Sequence, residues 1–198
     1  MKQSTWVLIG IAGLLVLVGG CKYNGMVTSD QNVGGKWANV QSEYQRRADL
    51  IPNIVEAVKG EANFEKGVLE GVIQARASAT QMKVDATNLT PEKLKQYQEA
   101  QGQLGSALGR LLSVAEAYPN LKSNAAFSEL RTQLEGTENR IKVARNDFNK
   151  AVQEYNVSIK TFPNNIYAGI FGFHDKGFFQ ADAGSDKAPK VDFGTGNK

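Results

Sequence analysis

A single cysteine and a single histidine set narrow limits on the chemistry open to this 198-residue chain. Nucleophilic, redox and metal-dependent reactions draw on a tuned acid, base, nucleophile or bound ion. His174 falls in a glycine-rich stretch near the C-terminus, with no second imidazole to share a metal. Glu135 and Glu138 stand about one helical turn apart, but helical di-iron sites need paired Glu-x-x-His motifs, and the sequence has none. Ion pairing or a solvated face is the role expected of these carboxylates. Nor does a Gly-rich loop join a strand to a helix in the way that cradles phosphate. The chain reads as a non-enzyme that needs no cofactor and no metal.

Two polar groups stand out from this background. Arg46, Arg47, Asp49 and Asn53 surround Pro52, and Glu138, Asn139, Arg140 and Arg145 lie about 90 residues further on. Arginine suits bidentate contact with carboxylate or phosphate, so these side chains could recognise an anionic envelope component. The simpler reading is structural: arginine pairs with carboxylate, and Asn53 satisfies backbone groups freed by the proline.

Cys21 has a specific setting. Met1-Lys2 opens the chain, an uncharged apolar run follows from Trp6 to Val18, and Val18-Gly19-Gly20-Cys21 closes it. A positive start, an apolar middle and small residues before a cut are the layout of a secretory signal. The run is short for a span, which needs about 20 apolar residues. Val-Gly-Gly-Cys also resembles a bacterial lipobox, whose cysteine is acylated and becomes the new N-terminus. Several acyl chains would anchor firmly where one alone binds only marginally. The expected address is the cell envelope outside the cytoplasm, facing the periplasm from the outer membrane in a diderm host; a retained single-pass span is the alternative.

The elements that must carry these residues are helical. Apolar content of 41%, charged content of 22% and few aromatics favour an all-α fold. The net charge of +3 is spread along the chain, so no concentrated basic face points to nucleic acid. Asp30 is an expected N-cap, and Val33, Trp37, Val40, Tyr44 and Ala48 keep the three-and-four spacing of one helix face. Pro52 predicts a break or sharp kink. A second helix is expected from Pro52 to Val84 through Val55, Val58, Ala62, Leu69, Val72, Ala79 and Met82, weakened at Gly60, Gly67 and Gly71. Thr90-Pro91-Glu92 starts a third, running through Leu94, Tyr97, Gln101, Leu104, Leu108, Leu111 and Ala115 to Tyr118 and ending at Pro119. Ser123 or Asn124 caps a fourth, with a seam from Phe127 and Leu130 through Leu134, Thr137, Ile141, Ala144, Phe148, Ala151, Tyr155 and Ser158 to Phe162. Sustained coiled-coil-like heptads and short turns predict an elongated, antiparallel, up-and-down four-helix bundle.

These readings divide the chain into a signal at residues 1–20, a tether at 21–29, the bundle at 30–163, an aromatic and Gly-rich segment at 164–180 and a flexible tail at 181–198. The aromatic segment carries Ile166, Tyr167, Ile170, Phe171 and Phe173. Large apolar patches are uncommon on soluble monomers, so this segment docks on the bundle, touches the membrane or meets a partner. It is the expected partner-binding surface.

Tyr44 to Val55, Y-Q-R-R-A-D-L-I-P-N-I-V, resembles the signature of the LemA family of bacterial envelope proteins. Ala117-Tyr118-Pro119-Asn120-Leu121, T-E-N-R-I-K-V-A-R at Thr137 to Arg145, and Tyr155 through Phe162-Pro163-Asn164 to Phe173 extend the likeness over nearly all of the chain beyond Cys21. The resemblance implies a four-helix bundle held outside the cytoplasmic membrane by an N-terminal anchor. Many members carry an ordinary transmembrane helix there, so Cys21 is a departure in anchorage. The expected role is a membrane-anchored scaffold or adaptor for envelope proteins. A module for an envelope ligand such as peptidoglycan or lipid is the alternative.

Overall fold

The computed structural model describes residues 2–61 and 64–181. Every regular element among them is helical: α1 (Lys2–Lys59), α2 (Lys66–Gln81), α3 (Pro91–Ala115), α4 (Pro119–Ser123), α5 (Ala125–Lys160) and α6 (Asn164–Phe171), with a 3-10 turn at Ala86–Asn88. The caps of α3 and α5 are those the sequence announces. Thr90 Oγ1 accepts from the Lys93 amide at 3.3 Å, ahead of Pro91. Asn124 Oδ1 accepts from the amides of Ala126 and Phe127 at 2.9 and 3.2 Å. The α3 seam is buried from Leu94 to Ala115, while at the far end of the α5 seam Phe162 lies beyond the helix and is exposed.

Helix α1 departs from expectation. It does not begin at Asp30, and residues 22–29 form no irregular tether: the helix is continuous for 58 residues, about 87 Å at about 1.5 Å per residue. Thr28 Oγ1 donates back to the Asn24 carbonyl at 2.9 Å, one helical turn earlier. Met26 is fully buried, so the heptad of Val33 and Val40 simply extends upstream. The side chain of Cys21, the tail from residue 182 onward and Ala62 lie outside the described residues.

Nor does Pro52 break the helix. A proline at this position leaves the carbonyl four residues earlier without its donor. That carbonyl belongs to Ala48, and Arg76 of α2 donates Nε to it at 2.9 Å. A side chain from the neighbouring helix therefore fills the gap in the ladder. Helix α1 instead ends at Lys59 and α2 begins at Lys66, so the expected helix from Pro52 to Val84 is divided. Arg76→Met is expected to cost about 1–2 kcal/mol by orphaning the Ala48 carbonyl. Adding Pro52→Ala restores a backbone donor and recovers most of the loss. Urea midpoints of both single variants and the double test this, and strict additivity would rule the explanation out.

Helices α1 and α5 run antiparallel along much of their length. Lys36 pairs with Asp147 at 3.2 Å and Arg47 with Glu138 at 2.9 Å, so residue numbers rise along one helix as they fall along the other. Helix α2 folds back against α3. Two apolar clusters result. One gathers Trp37, Tyr44, Tyr97, Ile141, Phe148 and Tyr155, and the other Ile51, Val58, Leu104, Leu111, Phe127 and Leu134. Among the described residues no helix is long and apolar enough to cross a membrane.

Candidate functional site

Between the two clusters lies a polar layer. Arg47, one heptad beyond Val40 on α1, is 4% exposed at its side chain. Its Nη1 donates to Glu138 Oε1 of α5 at 2.9 Å, and its Nη2 donates to both the backbone carbonyl and Oε1 of Gln101 on α3, at 2.9 and 2.8 Å. Gln101 in turn donates Nε2 to the Ala79 carbonyl of α2 at 3.3 Å. The guanidinium also stands 5.0 Å from the centre of the Tyr44 ring. One arginine thus links all four long helices, and its planar fork is what the geometry requires. Only Nε finds no acceptor among the described residues.

The other expected site residues are dispersed. Arg46, Asp49 and Asn53 are exposed, Asp49 accepting from Gln45 at 2.7 Å. Arg140 turns to a separate shallow depression of about 400 Å³ between α1 and α5. Arg145 shares with Arg47 and Glu138 a cleft of about 670 Å³, floored by Gly102 and Gly105. Its Nη2 donates to the Gln180 carbonyl at 2.9 Å, and its guanidinium lies 5.0 Å from the Phe179 ring centre. Glu135 pairs with Arg131 on the surface. Among the described residues no group of His, Cys, Asp and Glu is placed to hold a metal ion.

The aromatic segment splits into a short helix and an extended strap. In α6, Ala168 is buried and Tyr167 half-buried, while Ile166, Ile170 and Phe171 are exposed. Phe173 is half-buried, and its ring meets Tyr23 of α1. Gly172 ends α6 at φ 76°, a left-handed conformation that glycine adopts without strain. Residues 173–181 then run along the helical body. Asn156 holds the Lys176 backbone by a two-way pair, donating to its carbonyl at 2.9 Å and accepting from its amide at 3.0 Å. Asn149 does the same for Phe179, at 2.9 Å each way. Gln98 repeats it for Gln180, at 2.9 and 3.1 Å. Gly177 lies so close to α3 that a β-carbon there would meet Pro91 Cα at 2.8 Å.

Sequence reasoning missed these three amides. A signal was present: each follows an aromatic seam residue, in Tyr97-Gln98, Phe148-Asn149 and Tyr155-Asn156. The strap buries Lys176, whose Nζ pairs with Asp30 at 3.0 Å and donates to the Ala86 carbonyl at 3.3 Å. Tyr155 donates its hydroxyl to the His174 carbonyl at 3.1 Å. Burial, followed by the charges of Asp30 and Asp175, pushes the Tyr155 phenol up to about 12. Burial also raises the Tyr97 phenol, with Tyr44 adding to the effect. An unfolded tyrosine ionises near pH 10, before either folded phenol does. The stability these phenols contribute is therefore complete below about pH 10 and declines as pH rises towards 12. Absorbance titration at 295 nm should show Tyr97 and Tyr155 ionising above the usual phenol range, together with loss of helical circular dichroism.

Comparison with known proteins places this architecture in a lineage. The model of the LemA family matches residues 36–193. The chain belongs to the LemA family. Among its relatives, the magnetosome protein MamQ 2 of Paramagnetospirillum magneticum is 29% identical over 182 residues, covering 83% of this chain and 67% of that protein. MamQ of Magnetospirillum gryphiswaldense is 28% identical over the same shares. Protein LemA of Metamycoplasma hominis is 27% identical over 142 residues, covering 72% of this chain and 61% of its own. The LemA match takes in the polar layer, α6 and the strap, so these belong to the region the family shares.

Proposed function

We propose that this LemA-family chain is a non-catalytic, membrane-anchored scaffold of the bacterial envelope, an up-and-down four-helix bundle displayed outside the cytoplasm. The observation that carries the reading is the continuity of α1, which joins the apolar N-terminal run to the helical core without a break. Such a helix suits a fastening at one end and a display surface at the other. The arginine of the polar layer is committed to Glu138 and Gln101, which favours a structural role for it over catalysis or ligand capture. Magnetosome proteins among the relatives support service in a bacterial assembly.

Intact mass of the membrane-extracted protein, beside Cys21→Ala, tests the anchorage. Loss of residues 1–20 with acyl chains on Cys21, abolished in the variant, is the lipoprotein outcome. An unprocessed chain is the outcome for a retained span. Recovery from the cytosol, protected from protease added to spheroplasts, would sink the proposal in both forms. A second reading, a module for peptidoglycan or lipid, draws on the cleft of about 670 Å³ beside Arg145. Retention on purified sacculi or lipid that Arg145→Ala abolishes would favour it.

A further inference from the structure

We propose that the outer face of α6 is a lipid-contact surface, seating one end of the helical body on the membrane beside its anchor. This rests on the anchored reading above. Phe162, Ile166 and Ile170 are 75, 54 and 70% exposed. Ile166 and Ile170 are one turn apart and so share a face, and exposed Phe162 lies just ahead of the helix. From Asn164 to Phe173 the chain carries no charged residue. A contiguous apolar face of this kind on a folded protein marks an interaction surface.

The position of the face selects lipid as its occupant. The inner side of α6 is fastened to the anchor-proximal part of α1. Tyr167 lies against Gly19 so closely that a β-carbon there would stand 2.9 Å from its Cε1. Phe171 meets the Tyr23 ring edge-on at 4.9 Å. Gly19 directly follows Val18, the last residue of the apolar run, and Cys21 lies between Gly19 and Tyr23. Helix α6 therefore sits level with the point at which the apolar run gives way to Lys22. That level is the membrane surface whether α1 is retained as a span or acylated at Cys21. An apolar side with tyrosine and asparagine amides around it suits the boundary between headgroups and acyl chains. Removal of residues 1–20 would take away the Gly19 contact and leave the Tyr23 contacts in place.

The full chain, reconstituted into phosphatidylethanolamine and phosphatidylglycerol vesicles with brominated acyl chains, tests the proposal. Ile170→Trp and Val143→Trp are each made on a Trp6→Phe background. Val143 is 61% exposed on α5, about 25 Å from its C-terminal end at about 1.5 Å per residue. Buried Trp37 gives the same background emission in both. For protein that floats with the vesicles, the Ile170→Trp emission is expected to shift to the blue and to be quenched at least twofold more than that of Val143→Trp. Equal quenching at the two positions would overturn the lipid contact while leaving the anchor intact. A blue shift without bromine quenching, growing with the protein-to-lipid ratio, would assign the face to a second copy of the chain instead. Failure to float would overturn the anchored reading and this inference with it.

Discussion

Trp37→Ala is expected to lower the unfolding free energy by about 4 kcal/mol, within the range for deleting a large buried aromatic side chain. Trp37 is 1% exposed, and its ring is surrounded by those of Tyr97, Phe148 and Phe179 at 5.1, 5.4 and 6.1 Å. It joins α1 to α3, α5 and the strap at once. Its indole Nε1 donates to the Val84 carbonyl at 2.9 Å, but Gln41 Nε2 also donates to that oxygen at 3.2 Å. The carbonyl therefore keeps a partner in the variant, and the loss comes from the cavity. Trp37→Phe, which keeps a ring in the site, should cost about half as much. Small domains are stable by only about 5–15 kcal/mol, so the alanine variant should be visibly weakened at growth temperature. Urea denaturation followed by circular dichroism measures both, and a loss under about 1 kcal/mol for alanine would show that the aromatic group does not act as a core.

The second large effect is expected at the polar layer. Arg47→Ala should cost about 3 kcal/mol, because it strips Gln101 of its donor in a buried setting and opens a void among four helices. That figure is the low end for breaking a buried pair, since the Glu138 side chain is 46% exposed and keeps water when its partner is gone. The reverse deletion has a different cause. Glu138→Ala leaves the guanidinium buried with only Gln101 and the Tyr44 ring against it, so it should destabilise despite removing a half-exposed side chain. Arg47→Lys should rescue poorly, because an ammonium cannot reach three acceptors in one plane. Salt discriminates this pair from surface ones: raising ionic strength should leave the Arg47–Glu138 coupling largely intact and erase that of Arg131–Glu135. A double-mutant cycle in low and high salt reads both, and equal loss of the two couplings would refute the buried-layer account.

The seams of α3 and α5 were legible because their information is local. A threonine or asparagine cap, a proline in the first turn and an apolar repeat all act within one helix. Gln101 was legible as a member of its seam, but its task was not, since that depends on Arg47 from a different helix. The continuity of α1 was hidden for the same reason. Pro52 argues for a break unless Arg76, far along the chain, supplies the missing donor to Ala48. The strap escaped because Asn149, Asn156 and Gln98 grip its backbone, and backbone recognition leaves little trace in an apolar pattern. Phe179, packed on Trp37 and Phe148, is marked by its side chain. Of the expected polar cluster, Arg47, Glu138 and Arg145 share one cleft, and helical phase carries Arg46, Asp49, Asn53 and Arg140 elsewhere.

The unbroken course of α1 has a consequence for orientation. Each residue of a helix advances about 1.5 Å and turns about 100°, so a fastening at Cys21 fixes both a height and a compass bearing for everything built on the helix. The tip near Lys59 stands about 57 Å along the axis from that fastening. Under the proposed fastening at Cys21, a stiff helix holds the body at one height and one bearing relative to that residue, whereas a flexible leash would let it range over many. Adding a single residue between Cys21 and Lys22 would turn the body by about 100° relative to Cys21 and leave the Tyr23 contacts with α6 and Phe173 in place.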